Sequence, residues 1–328
     1  MLRKSNLFFL IFISLNLSIS ISAETYKNTN GKSIDKPLSD LIKWRSNRSA
    51  PIISIIETSN GWKDIKLNQK NFGVWVGHST FYLNNGDLDI LTDPIFSERA
   101  SPIKFAGPKR LINTPLKVSD INNIDIVIIS HNHYDHLDIP SLKSIQKKFP
   151  NVIFLVPIGD KDLLTKYNLK NIYEFNWWES LTYKDTKFTF TPTQHWSARG
   201  IFDRNKSLWG GWFIETESLK LFHAGDTGYS NDFKAIKAKL GSPDYAFIPI
   251  GAYDPEWFMG ESHVNPEDAV RIMEDLGNPD SFGMHWGTFS LTSEDTIEPK
   301  ERLEVITKKK NIDNFISLIP GSIFKLNN

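Results

Sequence analysis

Cysteine is missing from all 328 residues. That excludes disulfides, thiolate metal ligands, a cysteine nucleophile and a lipid-modified cysteine, so any metal must be held by histidine and carboxylate. An excess of one charge is missing too, because Lys+Arg and Asp+Glu both number 38. With no basic run beyond Lys308-Lys309-Lys310, nothing in the charge points to a nucleic acid partner. The apolar run Leu7–Ile13 fades into Ser and Ile by Ala23, short of the ~20 apolar residues that a spanning helix needs.

What stands at the N-terminus has another pattern. Arg3 and Lys4, the short apolar run and small residues near Ser20, Ser22 and Ala23 describe a secretory signal peptide over residues 1–23. Ile21 sits poorly three residues before a cut at Ala23, which keeps an uncleaved anchor as the alternative. The expected location is therefore exported, periplasmic or peripheral to a membrane, or else N-terminally anchored. Residues 24–71 form a polar N-terminal extension. Within it Leu38, Leu41 and Ile42 fall at helical spacing beside Trp44, with Lys43, Arg45 and Arg48 around them. Such a piece can lie on an anionic membrane or pack onto the body of the domain.

From Phe72 to residue 328 strands and helices alternate without a linker, which argues an α/β domain. Phe72–Val76 and Leu88–Thr92 read as paired strands with Asn85-Gly86 as the turn. Pro140–Phe149 reads as a helix with Asp138 at its start as the cap, and Pro266–Leu276 as another, capped by Asn265 and stopped by Gly277.

The densest chemistry lies in His131-Asn132-His133-Tyr134-Asp135-His136, which follows the β-branched strand Ile124–Ile129. Imidazole and carboxylate are ligands of a borderline ion such as Zn²⁺. His195, Asp226 and His285 each close a further strand-like run, and Gly225 lets the backbone beside Asp226 approach an ion. Seven such ligands exceed one tetrahedral zinc and suit two ions sharing a carboxylate, with room for water.

These residues carry a resemblance. The series His131-x-His133-x-Asp135-His136, His195, Asp226, His285 is similar to the ligand set of dinuclear metallo-β-lactamase-fold hydrolases. Longer stretches resemble the phospholipases D that hydrolyse N-acylphosphatidylethanolamine. Among them are Leu91-Thr-Asp-Pro-Ile-Phe-Ser-Glu-Arg-Ala, Ala224-Gly-Asp-Thr-Gly-Tyr, His263-Val-Asn-Pro-Glu-Asp-Ala-Val and His285-Trp-Gly-Thr-Phe. The likeness runs from about Phe72 to Pro299. It implies a four-layer αββα sandwich with two Zn²⁺, other divalent metals being admissible. His131, His133 and His195 would hold one ion, Asp135, His136 and His285 the other, and Asp226 would bridge them. A hydroxide shared by the ions would cleave the lipid into N-acylethanolamine and phosphatidic acid. The implied partner is a phospholipid at a membrane surface, with no nucleic acid; oligomeric state is not legible.

The resemblance also makes His263 a residue that orients phosphate or protonates the leaving alcohol, with Ser262 where mammalian relatives are expected to carry glutamine. Tyr253, Trp257, Phe258 and Met259 are candidates for an acyl-chain channel. His78 and Asp93 are read as supports of the ligands, and His223 as a strand residue. Two rivals stand beside this reading. One is a lactonase or other phosphodiesterase on the same fold; the other is a non-catalytic metal or lipid binder, against which the complete ligand set argues.

Overall fold

Strand and helix residues alternate so that two apolar sheet faces meet and their outer faces are covered by helices. The computed structural model describes residues 25–47, 49–65 and 69–327, so the leader and Arg48 lie outside the described residues. In the first sheet, β1 (Phe72–Gly77), β2 (Thr80–Asn84), β3 (Asp89–Thr92), β4 (Ile126–Ile128), β5 (Ile153–Pro157) and β6 (Ile172–Phe175) follow in chain order. The second sheet holds β7 (Ser180–Tyr183), β8 (Thr186–Thr191), β9 (Gly211–Glu215), β10 (Lys220–His223), β11 (Tyr245–Pro249), β12 (Asp280–Met284) and β13 (Phe315–Ile316). The last strand, β14 (Ile323–Lys325), returns to pair antiparallel with β1.

The two sheets share one pairing plan. Antiparallel pairing joins β14, β1, β2 and β3, and parallel pairing joins β3 to β6. Likewise β7 to β10 are antiparallel and β10 to β13 parallel. The chain therefore contains a structural repeat that leaves no trace at residue level.

Alternation within strands sorts the side chains by face. In the first sheet Trp75, Ile90, Ile126, Ile128 and Leu155 point inward, onto Phe188, Phe190, Trp212 and Phe222 of the second. Val74, Leu91, Val127 and Phe154 point outward, onto Leu142 and Ile145 of α2 (Ile139–Lys148) and Leu164 of α3 (Lys161–Lys166). On the far side the short α5 (Glu256–Met259) precedes α6 (Pro266–Leu276), which packs on β11 and between α4 (Asp232–Leu240) and α7 (Glu298–Lys310), and α7 packs on β13. Helix, sheet, sheet, helix is the expected four-layer order.

Two local expectations need correction. Strand β2 separates β1 from β3, so the two runs read as a direct pair are second neighbours; the Asn85-Gly86 turn joins β2 to β3. Asp138 occupies the N-cap position of α2 but makes no side-chain bond to a helix N–H. Its Oδ2 accepts instead from the hydroxyls of Ser97 and Ser141, so it ties α2 to the loop after β3. Asn265 caps α6 as read, its Oδ1 accepting from Asp268 N at 2.9 Å, and Gly277 ends that helix in the left-handed region at φ +100°. The basic amphipathic piece is α1 (Leu38–Asn47); it docks by stacking Trp44 on Phe258 and leaves Leu38, Leu41 and Ile42 exposed.

Candidate metal centre

Parallel strands gather their carboxyl ends on one edge, where loops from both sheets meet. The loop after β4 carries His131, His133, Asp135 and His136; the turn after β10 carries Asp226, and His285 follows β12 directly. His195 arrives from the exit of β8. The backbone is tight at these exits. His78, Asp93 and His285 all adopt left-handed φ, at +53°, +35° and +63°, where non-glycine residues are strained. Gly225, at φ +62°, lies so close to the ligand loop that a Cβ would stand 2.5 Å from Ser130 Cβ.

All seven predicted ligand side chains converge. His131 Nε2 lies 2.8 Å from His133 Nδ1, and His195 Nε2 lies 3.3 Å from that same atom. On the other side, Asp135 Oδ2 lies 3.6 Å from His136 Nε2 and 3.5 Å from His285 Nε2. Asp226 Oδ2 faces both groups: it is 3.2 and 3.1 Å from His136 and His285, and 3.9 Å from both His131 and His195. Such spacing is what atoms sharing a cation require.

Polar satisfaction tests the fit. Nε2 of His136, Nε2 of His285 and Oδ1 of Asp226 are buried with no hydrogen-bond partner. Orphaned donors and acceptors this dense are costly unless an ion engages them. Nitrogen and oxygen donors without thiolate suit zinc and also other divalent metals.

Electrostatics divide the cluster. Burial, reinforced by neighbouring histidines, holds His131 and His195 well below the ordinary histidine value; burial brings His133 to about 4. Burial opposes charge on His136 and His285 as well, but Asp226 and Asp135 outweigh it and raise both, His285 to about 9. Asp226 and Asp135 are in turn held well below the usual carboxylate range, burial being overcome chiefly by His136.

The ligands are themselves held. Asp93 Oδ2 accepts from His136 Nδ1 at 2.9 Å, His223 Nε2 at 3.0 Å and Ser130 Oγ at 2.6 Å. His78 Nε2 reaches Asp135 Oδ2 at 2.9 Å, and His195 Nδ1 donates to the Ser262 carbonyl at 2.9 Å. The bonds at Nδ1 of His136 and of His195 leave Nε2 of each ring facing the centre. Because Ser262 serves through its main chain, its side chain is under little constraint from this contact.

His263 is buried beside the cluster, its Nδ1 3.8 Å from Asp226 Oδ2, and burial lowers it to about 4. A cavity of about 600 Å³ opens there, lined by His133, Asp226 and His263 together with Met259, Ile201 and Leu291. Of the four channel candidates Met259 lines it and the rest are occupied elsewhere. Tyr253 is buried with its hydroxyl on Glu298, Phe258 lies under Trp44, and Trp257 sits beneath Lys43.

Sequence reasoning passed over Arg199, whose Nη1 donates to the carbonyls of Asn132 and Leu137 at 2.7 and 2.8 Å and so staples both ends of the ligand loop. It also passed over the buried carboxyl of Asp160, which receives Asn132 Nδ2 and Ser207 Oγ and is pushed by burial up to about 7. Neither residue sits in a spacing that distinguishes it from a surface charge.

Residues 89–286 match the family described as a beta-lactamase superfamily domain, and the chain belongs to that superfamily. Within it, the N-acyl-phosphatidylethanolamine-hydrolyzing phospholipase D 1 of Caenorhabditis elegans is 36% identical over 268 residues, covering 77% of this chain and 75% of the relative. A mitochondrial enzyme of the same name from Saccharomyces cerevisiae is 40% identical over 72% of this chain, which spans 52% of that relative's length. A possible metal-dependent hydrolase of Veillonella parvula shares the fold, with a TM-score of 0.64 at 18% identity over 79% of this chain and all of its own. The chain is a metallo-β-lactamase-fold hydrolase related to these phospholipases.

Proposed function

We propose that the chain is a zinc-dependent phosphodiesterase of the phospholipase D type, converting N-acylphosphatidylethanolamine and water into N-acylethanolamine and phosphatidic acid. The observation that carries this reading is the position of Asp226 Oδ2 between two groups of histidines. The names of the two phospholipase relatives support the choice of lipid. His131, His133 and His195 would hold one cation, Asp135, His136 and His285 the second, and Asp226 both. Two cations so held acidify water and neutralise charge growing on phosphate oxygens.

The remaining chemistry falls to the chain. The water oxygen joins phosphorus, the phosphorus–oxygen bond to the ethanolamine breaks, and the departing oxygen takes up a proton. Neutral at pH 7, His263 orients the phosphate by donating a ring N–H. Met259, Ile201 and Leu291 offer apolar surface to lipid at the cavity. The partner we propose is an anionic lipid surface, met by exposed Leu38 (71%) and Ile42 (60%) of α1 with Lys43 beside them.

Purified protein loaded with zinc and given N-acylphosphatidylethanolamine in mixed micelles should release N-acylethanolamine and phosphatidic acid, read by mass spectrometry. Free fatty acid or diacylglycerol in their place would refute the assigned bond.

A further inference from the structure

We infer that the N-terminal segment around residues 26–36 is a working part of the metal centre, and that Asn28 is a positioning residue for His195. The inference rests on the proposed role of His195 as a ligand.

Asn28 is 4% exposed. Its Oδ1 accepts two hydrogen bonds at once, from the main-chain N–H of His195 and from Trp209 Nε1, both at 3.0 Å. His195 lies beyond the end of β8, where the sheet ladder no longer supplies an acceptor, and a buried N–H left without one is costly. The acceptor comes from 167 residues away in sequence.

The segment is built to hold that oxygen in place. Asn28 N donates to the Lys32 carbonyl at 2.9 Å, and Gly31 N donates back to the Asn28 carbonyl at 2.8 Å. This closed turn is fixed to the body at several points. Tyr26 N donates to Asn205 O at 2.8 Å, Thr29 Oγ1 to Asp232 Oδ1 at 2.7 Å, and Lys36 pairs with Glu261 at 3.0 Å. Ile34 is buried, and Arg204 grips its carbonyl.

Two anchors therefore fix His195, each doing a separate task. The Ser262 carbonyl receives Nδ1–H and sets the ring so that Nε2 faces His133 and Asp226. Asn28 fixes the main chain from which the ring projects. With the second anchor gone, the ring keeps its tautomer but its Cα can shift. A partner behind a histidine ligand is typically worth about 10–100-fold in metal affinity.

The test compares Asn28→Ala, Asn28→Asp and Thr29→Ala in the full chain. Cobalt(II) binding is measured by chelator competition, with amide hydrogen exchange over the peptide containing His195 as the metal-free readout. In Asn28→Ala one of two cobalt ions should bind about 10–100-fold more weakly, the other should be unchanged, and His195 should lose amide protection. Asn28→Asp keeps the accepting oxygen and should restore most of the affinity; Thr29→Ala, which removes one anchor of the segment but keeps that oxygen, should weaken the same ion by less than Asn28→Ala does. Unchanged binding of both ions, or equal weakening of both, would overturn the inference. A wild-type chain that binds neither ion would overturn the ligand reading itself, and is told apart by failing before any substitution is made.

Discussion

Asp93 and Asp226 occupy corresponding places in the two sheets. Each follows the strand, β3 or β10, that is antiparallel to one neighbour and parallel to the other. Asp226 faces the histidine cluster directly, whereas Asp93 stands behind His136. The shared position with different reach predicts different losses. Asp226→Asn should lower turnover by roughly 10²–10³-fold or more, as expected for weakening the group that both cations would share and through which they neutralise the reacting phosphate. Asp93→Asn should act through metal affinity, about 10–100-fold at one ion, and excess metal should recover its activity. Metal rescue of Asp226→Asn, or none for Asp93→Asn, would reverse these assignments.

Metal binding should release protons at neutral pH. His136 and His285 are raised above the ordinary histidine value in the metal-free cluster, His285 to about 9, so both carry protons at pH 7. A cation can be bound only by the deprotonated ring, so proton and metal compete and affinity falls as pH falls below about 9. Calorimetry in buffers of different ionisation enthalpy should find more than one proton released as the site fills. Release of none would show that these histidines are neutral before binding.

Arg199 should matter to stability more than its surface-like sequence context suggests. Replacing it by methionine leaves the buried carbonyls of Asn132 and Leu137 without their donor. A cost of about 1–3 kcal/mol follows, read from urea unfolding, and lysine should recover only part because it lacks the planar fork. A loss within the noise of the extrapolation would mean that the ligand loop holds itself.

Lipid attraction should depend on α1. Leu38→Glu with Ile42→Glu removes two exposed apolar side chains from a helix that keeps its Trp44 anchor. Binding to anionic vesicles should weaken at least about tenfold, given about 1.5–3 kcal/mol for each aliphatic side chain fully buried. Hydrolysis of a water-soluble phosphodiester should stay constant. Unaltered vesicle binding would assign α1 to packing alone.

The centre was legible because its ligands are rare residue types at strand ends: three histidines and an aspartate in six residues need no contact information. Alternating strands and helices argue only an α/β domain; the four-layer order is what the family resemblance implies, and the two packed sheets bear it out. Strand β2 escaped although Thr80-Phe81-Tyr82 are strand-forming types, because the Asn85-Gly86 turn closes this nearer run and not the one at Phe72–Val76. Asp138 shows the limit of local rules, since a capping position does not say what the carboxylate will hold when a hydroxyl of its own helix and one from the loop after β3 compete. Asn28 and Arg199 act through contacts far apart in sequence, and no periodicity records those. Tyr253 and Phe258 look like a lipid channel by composition, yet burial against Glu298 and Trp44 turns them away from the cavity.

Hydrolysis of N-acylphosphatidylethanolamine in ¹⁸O-labelled water tests the central claim most directly. Attack at phosphorus places one label in the phosphate of phosphatidic acid and leaves N-acylethanolamine unlabelled. Label in the alcohol of N-acylethanolamine, or in a released fatty acid, would contradict it.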